Sequence, residues 1–301
     1  MFLNPPMTSN FAKKPRLLIV GCGDVGMRVL GLLGCRWRVA ALSSSPQRFA
    51  LLRQAGAMPL AGNLDQPASL SRLAGWADLV LHLAPPAPLG KQDTRTRNLL
   101  QALARKAPPR RIVYASTSGV YGDCGGASFN ESRPVAPATD RARRRVDAEQ
   151  QLMAFGARSG SAVTVLRVPG IYASDRPGGH PRERLARGSP VLRREDDVFT
   201  NHIHADDLAR ACILALHRGL AQRVLHVCDD SELLMGDYFD LAADLCGLPR
   251  PPRISRAEAR DQITPMQMSF MSESRRLDNQ RLKTELGLRL RYTQPAEGLL
   301  A

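Results

Sequence analysis

The apolar run Arg16-Leu-Leu-Ile-Val20 ends directly on Gly21-Cys-Gly23-Asp-Val-Gly26, and apolar positions then recur at helical spacing from Val25 to Leu33. A strand, a glycine turn and a helix in immediate succession constrain this chain more than any other stretch, because the glycines then have mechanical reasons. Gly21 permits the tight turn, Gly23 lets backbone approach a pyrophosphate, and Gly26 lets the helix pack closely on the strand. The N–H groups of Asp24 and Val25 open the helix, whose positive dipole end favours phosphate. A purely structural turn is the competing reading.

The elements that follow keep alternating. Trp37–Leu42 reads as a second strand, 46–55 as a helix opening at Pro46, Ala57–Leu60 as a short third strand and Ala77–Leu83 as a fourth. A helix from Thr94 to Lys106, a strand at Arg111–Ala115, a helix from Arg143 to Phe155 and a strand at Ala162–Arg167 complete the regular part. Parallel neighbours need a crossover and helices supply it, so the expected fold is α/β: a doubly wound parallel sheet of Rossmann type with a smaller C-terminal substrate lobe. The expected division is a flexible leader at 1–13, a dinucleotide-binding domain at 14–172, and a lobe at 173–301 interleaved with the last sheet elements. Segments 173–200 and 249–275, rich in Pro, Gly, Ser and Arg, read as loops around helices near 206–218 and 236–246.

Where an acid often holds the ribose 2′-hydroxyl at the end of the second strand, this chain has Leu42-Ser-Ser-Ser-Pro-Gln-Arg48. Ser43, Ser44 and Arg48 suit a 2′-phosphate, so NADP is the preferred cofactor over NAD. A structural reading stands beside it, with Ser45 as a helix cap and Arg48 solvated. The formal charge of +14 comes from 42 basic residues, five of them Lys, spread along the chain without interleaved aromatics. That pattern gives no support for a nucleic-acid partner, whereas an anionic cofactor or small-molecule substrate accounts for part of the excess. Six scattered cysteines without a C-x-x-C pair and six histidines suggest neither disulfides nor metal. No apolar run is long enough to span a membrane, and the cytoplasm is the expected location.

Several segments resemble the extended short-chain dehydrogenase/reductases, the group that includes the NAD-dependent epimerases and dehydratases. Gly62-Asn-Leu-Asp65 is similar to that family's motif at the adenine ring, with Asn63 where Asp is usual and Leu64 beside it. Leu81-His-Leu-Ala84 resembles the loop that covers the cofactor, which implicates Leu83 and Ala84. Ala115-Ser-Thr-Ser-Gly-Val-Tyr-Gly-Asp123, Arg167-Val-Pro-Gly-Ile-Tyr172 and Asn201-His-Ile-His-Ala-Asp-Asp207 match later signatures.

The resemblance implies a hydroxyl that polarises the substrate, falling on Thr117, and a Tyr-x-x-x-Lys pair on the following helix. Counted back from Ala148-Glu149, those two positions hold Arg141 and Arg145. A guanidinium keeps its proton at neutral pH, so Arg141 cannot supply the acid, while Arg145 can still bind the nicotinamide ribose. Atypical members of the superfamily depart in this way. Tyr121 is then the tentative substitute acid/base, with packing as its competing role; His202, His204, Asp206 and Asp207 read first as structural, with a pocket role as the alternative. Arg182, Arg184, Arg187, Arg193 and Arg194 fall where the family's substrate loops hold nucleotide phosphates, with a solvated loop as the competing reading. Two functions follow: an NAD(P)-binding epimerase/dehydratase-like oxidoreductase acting on a carbonyl or sugar-nucleotide-like substrate, or a non-catalytic NADP-binding regulatory protein. Three consecutive arginines in the 143–155 helix would repel their mates across a two-fold axis, which leaves monomer against homodimer open.

Overall fold

A computed structural model describes residues 14–300; the expected leader at 1–13 lies outside the described residues. Seven strands form one parallel sheet: β1 (Arg16–Val20), β2 (Arg38–Ser43), β3 (Met58–Ala61), β4 (Leu79–His82), β5 (Arg111–Thr117), β6 (Ala162–Val168) and β7 (Arg223–His226). Their spatial order is β7-β6-β5-β4-β1-β2-β3. The order reverses at β1, which pairs with β2 on one side and β4 on the other, and this opens a crevice at the carboxyl ends of the strands.

Alternate residues of each strand bury into two separate cores. Leu17, Ile19, Leu81, Val113 and Leu166 pack against helices α1 (Asp24–Leu33) and, later in the chain, Ala205–Arg218. Leu18, Val20, Val80, Ile112 and Val165 face the opposite way, against the helices Thr94–Ala104 and Asp140–Ser159. Both faces are covered, which is why the strands read as continuous apolar runs rather than alternating ones. Gly34, with φ +61, stops α1.

The strand Arg223–His226 was not legible in the sequence. It has four residues, two of them polar, and lies at the edge of the sheet beside β6. Through it, and through the helix Ala205–Arg218 against α1, the chain beyond residue 172 returns to the dinucleotide-type unit. The remainder builds a small lobe around Tyr172, Leu185, Val191, Phe239 and Leu299. Short helices at Arg256–Gln262 and Pro265–Phe270 occupy the stretch read as loop, each opened by a capping box. The three consecutive arginines diverge: Arg143 pairs with Asp140, Arg144 donates to the Gly90 carbonyl, and Arg145 turns toward β5.

A buried polar chain ties the second half of the sheet together. Ser116 Oγ donates to Glu149 Oε1 at 2.5 Å, Arg167 pairs with Glu149 Oε2 at 2.7 Å, and Arg167 Nη1 donates to the Tyr121 hydroxyl at 2.6 Å. His226 Nδ1 meets the Asp278 carbonyl at 2.9 Å, and a carbonyl can only accept, so Nδ1 carries the proton. The Tyr121 hydroxyl therefore donates to His226 Nε2, 2.6 Å away. Burial also pushes the His226 imidazole down to about 4, which keeps it neutral. Removing the carboxylate alone strands a desolvated guanidinium. Glu149→Leu is expected to lower stability in urea unfolding by about 3 to 5 kcal/mol, and Glu149→Leu with Arg167→Met to recover a large part of it. A single-variant loss under about 1 kcal/mol would contradict the role given to this pair.

Candidate active site

The crevice at β1, β2 and β4 is a cleft of about 480 Å³ bordered by the glycine turn, Ser43, Ser44, Arg48, Asn63 and Ala84. The three glycines face three different surroundings. Gly21 has φ +83, and a Cβ there would lie 2.4 Å from the Ala84 nitrogen, so a side chain is excluded by both backbone and space. Gly23 has nothing within 4 Å of its Cβ position and borders the cleft. A Cβ on Gly26 would sit 3.0 Å from Cys22 Sγ and 3.6 Å from Ile19, so the helix rides close on the strand. Gly23, which borders the cleft, caps α1 without a side-chain bond, so the helix that begins with Asp24 and Val25 starts there with its first N–H groups uncapped by a side chain. These features fit a dinucleotide pyrophosphate.

On the opposite wall Arg48 Nη2 donates to the Cys22 carbonyl at 2.7 Å, so the guanidinium reaches across to the glycine turn. Ser45 stands at the N-cap of the short helix Pro46–Arg48 but makes no capping bond with its side chain. Ser45 therefore does not cap with its side chain, and Arg48 is half-buried with its head on the glycine turn. Ser43 Oγ accepts from Ser45 N at 3.2 Å, and Ser44 is exposed. Asn63 Oδ1 closes its own turn on Asp65 N, and the Asn98 amide holds the Leu64 carbonyl. Leu83 N donates to Val20 O at 2.7 Å, which fixes the loop carrying Ala84 against Gly21.

A second cleft, about 600 Å³, opens at the end of β5 between the sheet and the small lobe. Thr117 lines it and accepts from Gly119 N at 3.2 Å. Arg141 also lines it, its guanidinium 4.7 Å above the Phe270 ring. Arg145 does not: its Nη1 donates to the Tyr114 hydroxyl at 2.9 Å and to the Ala115 carbonyl at 2.8 Å. Tyr121 borders neither cleft. Only 1% exposed, it donates a hydrogen bond to His226 and accepts one from Arg167, and burial raises its phenol pKa against the lowering effect of Arg167. The structure therefore brings Thr117 and Arg141 together and directs Tyr121 away.

His202 lines the second cleft, stacked 3.9 Å from Tyr238, with Nδ1 buried and unpartnered; burial takes the imidazole down to about 3. His204 caps the helix Ala205–Arg218 by accepting from Asp206 N. Asp207 is fully buried, paired with Arg210 and accepting from Arg291 N and Tyr292 N, which makes it a structural anchor. Of the substrate-loop arginines, Arg184 and Arg187 line the cleft, whereas Arg193 pairs with Glu195 and Asp196, and Arg194 with Asp237. Arg182 borders a separate hollow beside Leu299. Arg184 lies 4.4 Å above Phe239 with Nε buried and unpartnered, and no carboxylate pairs with it among the described residues. Burial, then Arg187, lowers its guanidinium pKa.

Three cleft residues escaped the sequence reading: Arg176, Glu273 and Arg275. Glu273 Oε2 lies 3.9 Å, and Thr117 Oγ1 3.6 Å, from the Cβ position that Gly119 leaves vacant. Arg275 Nη1 holds that carboxylate at 2.7 Å and the Gly122 carbonyl at 2.7 Å, and Asp123 accepts from Ser274 N at 2.8 Å. The segment is thereby fixed beside the end of β5. Nothing local in Ser272-Glu-Ser-Arg275 announces this, because its partners are about 150 positions earlier. Among the described residues, no three His, Cys, Asp or Glu side chains converge on a metal position and no helix is long and apolar enough to cross a membrane.

The chain is similar to known proteins over most of its length. A conserved protein of unknown function from Silicibacter pomeroyi superposes with a TM-score of 0.81 at 33% identity, over 95% of this chain and 97% of that one. Protein YeeZ of Escherichia coli strain K12 is 26% identical over 292 residues, covering 93% of this chain and 97% of YeeZ. The GDP-6-deoxy-D-mannose reductase of Pseudomonas aeruginosa is 28% identical over 277 residues, 81% of this chain and 86% of the reductase. The model of the NAD dependent epimerase/dehydratase family matches residues 18–228, and with that match the chain belongs to this family.

Proposed function

We propose that the protein is an NADP(H)-preferring oxidoreductase or epimerase-like enzyme acting on an anionic, sugar-nucleotide-like substrate. The observation that carries this reading is the second cleft, which is lined both by the Thr117 hydroxyl and by Arg184 and Arg187, guanidiniums that pair with no carboxylate among the described residues. An uncompensated, desolvated Arg184 is unfavourable in the free protein, and an anionic ligand removes that penalty. A bound nicotinamide supplies two-electron redox chemistry at carbon. In the cofactor cleft, the glycine turn with Asp24 and Val25 takes the pyrophosphate. Ser43, Ser44 and Arg48 take the 2′-phosphate, and Asn63, Leu64, Leu83 and Ala84 border the adenine and cover the cofactor. Thr117 orients the reacting oxygen. Glu273, fixed by Arg275 beside Thr117, handles its proton in place of the absent phenol.

The non-catalytic, NADP-binding alternative keeps one specific support: the helix Asp140–Ser159 contains neither Tyr nor Lys, and Arg145 spends its Nη1 on Tyr114 and Ala115. Oxidation or reduction of a panel of UDP- and GDP-hexoses separates the two readings. The enzyme reading expects turnover that falls at least about a hundredfold in Thr117→Ala and in Glu273→Gln. In Tyr121→Phe the expectation is turnover near the parent's, with stability reduced. Absence of turnover on the panel together with tight NADP binding would favour the regulatory reading.

Two substitutions test the cofactor assignment. Gly23→Val meets open space within the protein, so it is expected to fold as the parent does and to lose dinucleotide binding in a fluorescence titration. Arg48→Ala should weaken NADPH by about tenfold and NADH little, the loss of one charged contact to the 2′-phosphate. Equal effects on the two dinucleotides would remove the basis for an NADP preference.

A further inference from the structure

Asp24 is the first residue of α1, immediately after Gly23, so its carboxylate stands beside the seat proposed for two phosphate charges. A carboxylate suits a helix N-terminus but repels a pyrophosphate unless a cation compensates it. Two arginines do so. Arg28, one turn along, meets Asp24 Oδ1 at 3.3 Å but also pairs with Asp206 at 2.5 Å and with Asp175. Arg176 Nη1 meets Asp24 Oδ2 at 2.7 Å. Two guanidiniums thus face three carboxylates, and loss of Arg176 leaves one against three.

Arg176 reaches Asp24 from 152 positions away, and its loop is shaped to send it there. The Gly179 N–H closes a turn on the Arg176 carbonyl at 2.9 Å, and Gly178 has φ +66. A Cβ on Gly179 would lie 2.5 Å from Arg176 Cδ and 2.7 Å from Cγ, so the absent side chain is the space in which the arginine stem lies. Arg176 also lines the second cleft. Arg176 therefore borders the substrate side and meets the cofactor helix with its guanidinium. The ion pair is partly exposed, at 25% and 30%, which makes it exchangeable rather than a permanent tie.

We propose that Arg176 is a positioning residue of the dinucleotide site, docked on Asp24 and coupling occupation of the cofactor cleft to the ordering of loop 173–181 over the second cleft. The proposal rests on the dinucleotide reading given above. Its test uses the full chain with NADP as the probe, measuring affinity by fluorescence and hydrogen exchange by mass spectrometry, with the melting temperature of each variant checked. Arg176→Ala should weaken NADP by at least about fivefold. Adding Asp24→Asn to that variant should restore affinity toward the parent's, because the uncompensated carboxylate is gone, an effect that a merely structural role for Arg176 would not produce. NADP should slow exchange in peptides covering 173–181 in the parent, and this protection should be lost in Asp24→Asn and in Gly179→Ala, where the arginine is present but detached or displaced. Parental affinity in Arg176→Ala, a double variant no tighter than Arg176→Ala, or loop protection that persists in Asp24→Asn would each overturn the proposal while leaving the cofactor assignment intact. Failure of the parent to bind either dinucleotide would overturn the assignment, and the coupling with it.

Discussion

The close approach of Gly21 to Ala84 is the constraint on which the rest depends. β1 and β4 are hydrogen-bonded neighbours, yet the chain leaves them in opposite directions, into α1 on one face and into the loop before the helix Thr94–Ala104 on the other. At that parting the two backbones come so near that no Cβ fits on Gly21, which also requires φ +83. A larger residue would push the loop from the turn, widen the crevice and lose the Leu83 N to Val20 O bond that fixes the loop. Cofactor chemistry in this fold is therefore set by a backbone distance before any side chain contributes.

A second constraint works from behind the site. The chain from Ser116 through Glu149, Arg167 and Tyr121 to His226 fills the space between β5, β6, β7 and the helix Asp140–Ser159 with polar groups that satisfy one another. It holds the segment 116–121 while leaving the Thr117 hydroxyl at the cleft. The same bonds commit the Tyr121 proton to a neutral imidazole, so the residue that most resembled a substitute acid by its place in the sequence has become part of the frame.

The sheet was legible because parallel strands covered on both faces read as apolar runs, and helices between them read at their own period. β1 begins and ends where the pattern predicts, and the helices near 206–218 and 236–246 lie within a residue of their predicted starts. Arg223–His226 was missed because an edge strand of four residues with a polar first and last member carries no run. The geometry of the glycine turn was legible since its three residues are local to one another. Glu273, Arg275 and Arg176 were not, because each acquires its meaning from a partner more than a hundred positions away. Local spacing informs on local geometry, and a site assembled from two lobes exceeds it.

The arginine excess can now be divided by what each guanidinium does. Arg16 with Asp78, Arg95 with Asp65, and Arg223 with Glu285 join elements distant in sequence through partly exposed pairs, and each contributes modestly. Arg144, Arg145 and Arg48 donate to carbonyls, uses that need the planar fork and five donors of a guanidinium more than its charge. Such uses suit a chain with five lysines, and at Arg145 they fasten the helix Asp140–Ser159 to the end of β5. A different logic holds for Arg141, Arg184 and Arg187, which converge on one cleft without pairing to a carboxylate among the described residues. Arg141 and Arg187 are exposed, whereas Arg184 is half-buried against Phe239 and its desolvation is unfavourable in the free protein. An anion bound in the cleft would offset that cost, and on this ground an anionic substrate is proposed.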